Sequence, residues 1–225
     1  MKDPQSWIQI GGQPMSDRPK ITPAENGPLL VEGVATMTSY GDGSIVEVGG
    51  KKALCRCGGS ANKPFCDGTH ATNGFQSARR EGRTPDRLEH YEGKGIVIHD
   101  NRGICSHAGH CTDALKSVFK LGEEPWIDPD GASAREIKEA IESCPSGALG
   151  YTIEGDAGSE WSGPTAQAFA PNGPYVFTGG VDIEGVDLAE GASREHVTLC
   201  RCGASQNKPY CDGAHWNHAF DESAP

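Results

Sequence analysis

The sequence predicts an α+β protein assembled from small metal-held modules: two short β-rich units and, between them, a compact unit of order β-α-α-β. Three observations carry this. Ile, Leu, Val and Phe together supply only 37 of 225 residues, whereas Gly and Pro supply 31 and 15. A chain so poor in core formers and so rich in turn formers lacks the apolar mass for one large core. Nine cysteines offer the compensation, because ligated metal or disulfides fasten folds that a core cannot. The cysteines also fall into three groups of three, and the outer two groups are copies of each other.

Charge and hydropathy exclude several function classes. With a net charge of −11 the chain is a poor binder of phosphate backbones, so no nucleic acid is expected. No run of 18 apolar residues is present, so no membrane span is expected. The N-terminal MKDPQSWIQIGGQPMSDRPK has no apolar stretch of the secretory kind, which predicts a cytoplasmic chain. In that reducing compartment thiolate ligands are favoured over disulfides, and an odd number of cysteines agrees.

Residues 1–20 read as a flexible tail, with Trp7, Ile8 and Ile10 able to lie across a surface groove. The first β-rich module spans 21–75 and contains CRCGGSANKPFCDGTH at 55–70. The last module spans 172–225 and contains CRCGASQNKPYCDGAH at 200–215. The two segments agree at 12 of 16 positions without a gap, and Asn26-Gly27-Pro28 echoes Asn172-Gly173-Pro174 upstream with a one-residue slip. Such self-similarity marks one structural unit used twice.

Each copy has the spacing C-x-C-x8-C-x3-H, which offers four soft or borderline ligands: Cys55, Cys57, Cys66 and His70, then Cys200, Cys202, Cys211 and His215. Gly58-Gly59 and Gly203-Ala204 let the backbone fold close around a metal. Pro64 and Pro209 stiffen the return toward the third cysteine. Asp67 and Asp212 can cap a helical turn whose positive end faces the thiolates and from which the histidine reaches back. Cys3His is a familiar structural zinc set. The division into a C-x-C pair and a C-x3-H pair equally suits two irons, one held by each pair.

Cys66-Asp67-Gly68-Thr69-His70 and Cys211-Asp212-Gly213-Ala214-His215, with the flanking CRCG, Ser60 or Ser205, and Lys-Pro-Phe/Tyr, resemble the CDGSH iron–sulfur domains, the mitoNEET-like proteins. The resemblance implies a [2Fe–2S] cluster on each Cys3His set, with Ser60, Asp67, Gly68, Ser205, Asp212 and Gly213 in the cluster-binding loops. Relatives pair as homodimers, so two copies in one chain imply an intrachain pseudo-dimer and a monomer.

Residues 76–93 carry Arg79, Arg80, Arg83 and Arg87 and read as a solvated linker, or as a docking strip for an acidic redox partner. The middle module spans 94–154. Ile96-Val97-Ile98 reads as a strand. Cys111-Thr112-Asp113 opens a helix through 120 with Leu115, Val118 and Phe119 on one face. Ser133-Ala134-Arg135-Glu136 is a capping box, and behind it Ile137, Ala140, Ile141 and Cys144 fall on one stripe until Pro145. Leu149, Tyr151 and Ile153 alternate as a second strand. Residues 155–171 are rich in Gly, Ser and Ala and read as a linker.

Cys105-Ser106-His107-Ala108-Gly109-His110-Cys111, followed by Cys144-Pro145, resembles a divergent single-cluster bacterial ferredoxin. The ordinary ferredoxin run is C-x2-C-x2-C with a distant C-P. Here Ala108 stands at the middle position. The resemblance therefore implies a [3Fe–4S] cluster on Cys105, Cys111 and Cys144, or a [4Fe–4S] cluster completed by His107, His110 or a non-protein ligand.

No P-loop, dinucleotide fingerprint or Ser/His/Asp arrangement stands out, so no catalytic residue is assigned. The function expected is a one-electron carrier or redox relay served by a reductase and an acceptor. Cluster transfer, storage or redox sensing is the alternative, and a structural zinc protein is a third. Because the three groups lie in separate modules, loss of Cys105, Cys111 or Cys144 is expected to leave the outer sites intact. His70 and His215 are expected to set the acid tolerance of those sites together.

Overall fold

The computed structural model describes residues 18–158 and 160–224. Trp7, Ile8 and Ile10 lie outside them. Arg18 to Lys20, expected in the tail, already belong to the fold: Arg18 pairs with Glu195 at 3.0 Å and Lys20 opens the first strand.

In chain order the first repeat contributes β1 (Lys20–Pro23), β2 (Leu29–Glu32), β3 (Thr36–Ser39), β4 (Ile45–Glu47) and β5 (Lys52–Leu54). The middle contributes β6 (Glu89–Glu92), β7 (Val97–Asp100), α1 (His110–Ala114), α2 (Ala134–Ile141), β8 (Leu149–Ile153) and β9 (Asp156–Gly158). The second repeat contributes β10 (Ala166–Phe169), β11 (Tyr175–Thr178), β12 (Asp182–Ile183) and β13 (His196–Leu199). The product is α+β and rich in small sheets, as the composition predicts.

One sheet runs β12-β1-β2-β5 and another β13-β11-β10-β3-β4. Each repeat lends strands to the other: the second lends β12 and the first lends the β3-β4 pair. β12 lies parallel to β1, with Ile183 opposite Ile21, and β3 lies parallel to β10, with Ser39 opposite Phe169. A sheet of three short strands would leave an open edge, and the borrowed strand covers it. The scarcity of apolar residues is met by pooling them. Leu29, Val31, Met37 and Leu54 share one continuous core with Tyr175, Phe177, Val197 and Leu199, and with Ile98, Ile137 and Ile141 of the middle module.

The pattern of burial follows from these layers. In β2, Leu29 and Val31 are buried while Leu30 between them is exposed, the alternation of a one-sided strand. All four residues of β13 are buried. Its outer side is covered by the Cys144–Gly147 segment of the middle module and by the ring of Trp161 from the segment that follows it, both against His196.

The middle sheet runs β6-β7-β8-β9, entirely antiparallel. β7 and β8 are the two strands expected, and they pair with each other. β6, β9 and β10 arise in segments expected to be linkers, because strands with so few apolar residues carry little periodic signal. The Ser133 capping box forms: Glu136 N–H donates to Ser133 Oγ at 3.3 Å and Ser133 N–H donates to Glu136 Oε2 at 3.0 Å. The helix α1 ends at Ala114 rather than 120. The chain leaves helical geometry at Leu115 and turns, which carries Val118 and Phe119 into the core and sets Phe119 opposite Ile127. α2 ends at Ile141, short of Pro145, and Cys144 sits in the turn that follows.

The arginine segment is fastened. Arg79 bonds Asp86, the Lys208 carbonyl and the Asp187 carbonyl, Arg83 bonds the Arg80 carbonyl, and Arg87 bonds Glu89. Among the described residues no helix is long and apolar enough to cross a membrane.

Candidate metal centres

All nine cysteines are unpaired thiols. In the first repeat Cys55 Sγ lies 3.7 Å from Cys57 Sγ, and Cys66 Sγ lies 3.3 Å from His70 Nδ1. In the second, Cys200 and Cys202 are 3.9 Å apart, and Cys211 lies 3.4 Å from His215 Nδ1. The separations match two ligands on one ion, since metal–sulfur and metal–nitrogen bonds of about 2.3 and 2.1 Å place neighbouring ligand atoms ~3.5 Å apart. Among the described residues no three His, Cys, Asp or Glu side chains converge as a site for a single ion. The donors therefore come in pairs, an arrangement that fits a two-iron group.

The loops that carry these donors are built alike. Ser60 Oγ donates to the Phe65 carbonyl at 2.6 Å and accepts from Asn62 N–H; Ser205 Oγ donates to the Tyr210 carbonyl at 2.7 Å and accepts from Asn207 N–H. Asp67 accepts from the N–H groups of Thr69 and Ala61, and Asp212 from those of Ala214 and Gln206, so each carboxylate ties the helical turn to the preceding loop. Gly68 and Gly213 take φ of +93° and +80° at the entry to that turn. Arg56 bonds the carbonyls of Gly27 and Ala24, and Arg201 those of Gly173 and Ala170, so the Asn-Gly-Pro echo is the seat of a buried arginine in each repeat.

Burial and hydrogen bonding act on the thiols in opposite senses. One sulfur of each C-x-C pair is held below the usual thiol range, first by the S–H of its partner and then by backbone N–H groups. Burial pushes Cys211 up. It also pushes Cys105 up to about 12 and Cys111 up to about 11. Desolvated thiols keep their protons until a bound cation compensates the charge, as expected of ligands preformed for metal.

The two outer sites differ in exposure. Cys57, Cys66 and His70 are half-buried, whereas Cys200, Cys202, Cys211 and His215 are all buried. Burial and the neighbouring His107 lower the pKa of His215, with Asp212 opposing.

Cys105, Cys111 and Cys144 line one cavity of about 140 Å³ with His107, His110 and Trp126. Cys105 follows a short turn, Cys111 lies in α1 and Cys144 follows α2. His110 Nδ1 lies 3.0 Å from the Ser143 carbonyl, and His107 N–H donates to Cys105 Sγ at 3.4 Å.

Several residues that join these sites escaped the sequence reading. The glycines expected to wrap a metal also permit contact between repeats: a Cβ on Gly58 would stand 2.5 Å from the Cys202 carbonyl oxygen, and one on Gly203 would stand 2.5 Å from that of Cys57. Tyr175 of the second repeat donates its hydroxyl to the carbonyls of Cys55 and Pro64 in the first, at 2.7 and 2.9 Å. The middle module docks on the second repeat. Asn207 Nδ2 donates to the Gly103 carbonyl at 2.8 Å, His196 Nδ1 meets the Cys144 carbonyl at 2.5 Å, and the bare face of Gly213 lies against the His107 ring. No local pattern announces such contacts.

Comparison with known proteins agrees with this geometry. Residues 26–71 and 172–216 match the family described as iron-binding zinc finger, CDGSH type, and residues 91–154 match the divergent 4Fe-4S mono-cluster family. The uncharacterized protein YjdI of Escherichia coli (strain K12) is 39% identical over 61 residues, which cover 27% of this chain and 80% of the relative. Its counterpart in Escherichia coli O157:H7 gives the same values. No solved structure matches the chain. The chain is an iron–sulfur protein that belongs with the CDGSH-type iron-binding proteins, carrying two copies of that module around a divergent 4Fe-4S mono-cluster module.

Proposed function

We propose that the protein is a one-electron relay in which Cys55, Cys57, Cys66 and His70 hold one [2Fe–2S] cluster and Cys200, Cys202, Cys211 and His215 hold another. The two repeats act as an intrachain pseudo-dimer, supported by the reciprocal strand loan of β3 and β12. Cys105, Cys111 and Cys144 hold the central cluster. The matched family favours four irons over three there. His110 is suited as fourth ligand through Nε2, because its Nδ1 is already engaged by Ser143. Such clusters supply one-electron redox chemistry without a substrate site.

The observation that carries the relay reading is adjacency. The loop of Cys57 touches that of Cys202 through Gly58 and Gly203, and the loop of Cys211 touches that of Cys105 through Gly213 and His107. Replacing a thiolate by a neutral imidazole removes negative charge and raises the potential of the outer sites above an all-thiolate centre. The residues of the chain then act as holders and spacers: arginines buttress the loops, and the packed glycines keep the sites close.

A second reading, release of a cluster to an acceptor, is favoured by the half-buried first site. Stopped-flow reduction tests the choice. A relay loses its visible absorbance on mixing with a one-electron reductant and recovers it with an oxidised cytochrome, with iron retained. Transfer of iron and sulfide to an apo-acceptor without electron transfer would favour the second reading.

A further inference from the structure

Asp100 closes β7 with its side chain completely buried, and neither carboxylate oxygen has a hydrogen-bond partner. A carboxylate buried in that way is a cost to stability. What surrounds it is a single cation that also reaches the Cys105 sulfur. Arg102 Nε lies 3.8 Å from Asp100 Oδ2, and Arg102 Nη1 lies 3.7 Å from Cys105 Sγ. The guanidinium stacks on Trp126, 4.1 Å from its ring centroid, and Trp126 lines the cavity of the three cysteines. The indole Nε1 is itself buried with no hydrogen bond of normal length, and Trp126 joins Arg102 in favouring the charged form of Asp100 against burial.

The remaining groups that face Asp100 add no second cation. From β6, Glu89 stands opposite it in register, and Tyr91 donates its hydroxyl to Glu89 at 3.4 Å. From β8 the residue opposite is Leu149. Cys105 itself is the nearest thiol on the far side of Arg102.

We propose that Asp100 is a proton-accepting group coupled, through the positioning residue Arg102, to the charge at the Cys105 sulfur, so that one-electron reduction of the central site is accompanied by uptake of one proton at the Asp100 carboxylate. The inference rests on the iron–sulfur reading of the three cysteines. One electron enters from an external one-electron reductant, one proton enters from solvent, the carboxylate becomes the neutral acid, and no bond to sulfur is made or broken. With iron bound Cys105 would be a thiolate, and Arg102 would then carry one positive charge among that sulfur, Asp100 and Glu89. Added negative charge at the sulfur draws the guanidinium toward it and weakens its hold on Asp100. Burial already pushes Asp100 up to about 7 against the pull of Arg102, so a weaker pull favours the neutral acid further.

The test is the midpoint potential of the central cluster in the whole, cluster-loaded protein, read by EPR during dithionite titration over a pH series. The potential is expected to fall as pH rises above about 7, approaching a tenfold change in the reduction equilibrium per pH unit, or 59 mV for one electron. Asp100→Asn should remove the slope while keeping the cluster. The infrared difference between reduced and oxidised parent protein, which needs no variant, should gain a protonated-carboxyl band. A flat potential in the parent, a parental slope in Asp100→Asn, or no carboxyl band each overturns the proposal. Iron and sulfide analysis of the same samples separates the failures: a loaded centre with a flat potential defeats this proposal alone, whereas no iron at the three cysteines defeats the functional reading and the proposal with it.

Discussion

Gly58 and Cys202 are in backbone contact across the two repeats, and the contact is returned by Gly203 and Cys57: a methyl group on either glycine would stand 2.5 Å from the carbonyl oxygen of the facing cysteine. Both glycines also take positive φ, +79° and +81°. A side chain at either position is strained by the backbone and collides with a carbonyl that belongs to a ligand residue.

Gly58→Ala and Gly203→Ala should therefore each destabilise the protein by more than the ~1–3 kcal/mol of a left-handed non-glycine residue alone. Gly50→Ala is the control, because Gly50 has φ of +63° but open space around it. Thermal melts followed by visible absorbance check this. Equal losses at positions 50, 58 and 203 would show that the contact between repeats carries no energy.

Tyr175→Phe should cost about 1–3 kcal/mol, the penalty of leaving a buried acceptor without its donor. The Cys55 carbonyl loses the hydroxyl at 2.7 Å, whereas the Pro64 carbonyl keeps the Cys55 N–H at 2.8 Å. The damage should appear at the first site although the substitution lies in the second repeat. Cluster loss from site-selective spectra in urea is the measurement, and preferential loss at the second site is the contrary outcome.

Acid should not affect the two outer sites equally. His70 is half-buried, whereas His215 is buried and its pKa is lowered. A depressed folded-state pKa means that protons bind the imidazole more readily in the unfolded chain than in the native protein, so the second site resists protonation until lower pH. Visible absorbance at mildly acidic pH should decay in two phases. His70→Cys should remove the fast phase and His215→Cys the slow one. One phase, or a fast phase removed by His215→Cys, contradicts this.

Asp100 should also shape stability against pH. Its folded-state pKa, raised to about 7 from 3.8 by burial, means that the native protein binds more protons than the unfolded chain between those values. Its contribution is therefore lost as pH rises through that window. Asp100→Asn should gain about 1–4 kcal/mol on the parent in mildly alkaline buffer, since each pH unit between the two pKa values is worth at most about 1.4 kcal/mol, and the gain should shrink toward acid. Denaturation midpoints on a pH series decide it; a gain independent of pH would mean that the carboxyl titrates alike in the folded and the unfolded chain.

What the sequence discloses is what repeats or what is periodic. Cys55, Cys57, Cys66 and His70 announce themselves with their second copy, and the Ser133 box and the Leu149–Ile153 alternation announce α2 and β8. What it conceals is pairing at a distance. The loan of β3 and β12, the seat of Tyr175 and the docking of Cys144 on His196 depend on residues far apart in the chain. For that reason the modules, separate in sequence, are not separate in space. Loss of Cys105 or Cys144 is accordingly expected to loosen the second repeat more than the first.

The most direct measurement is iron and acid-labile sulfide per chain together with EPR of the oxidised and dithionite-reduced protein. About eight iron and eight sulfide are expected, with two reducible [2Fe–2S] signals and a distinct third signal that Cys105→Ser removes. A colourless protein holding zinc at the Cys3His sites, with no sulfide, would contradict it.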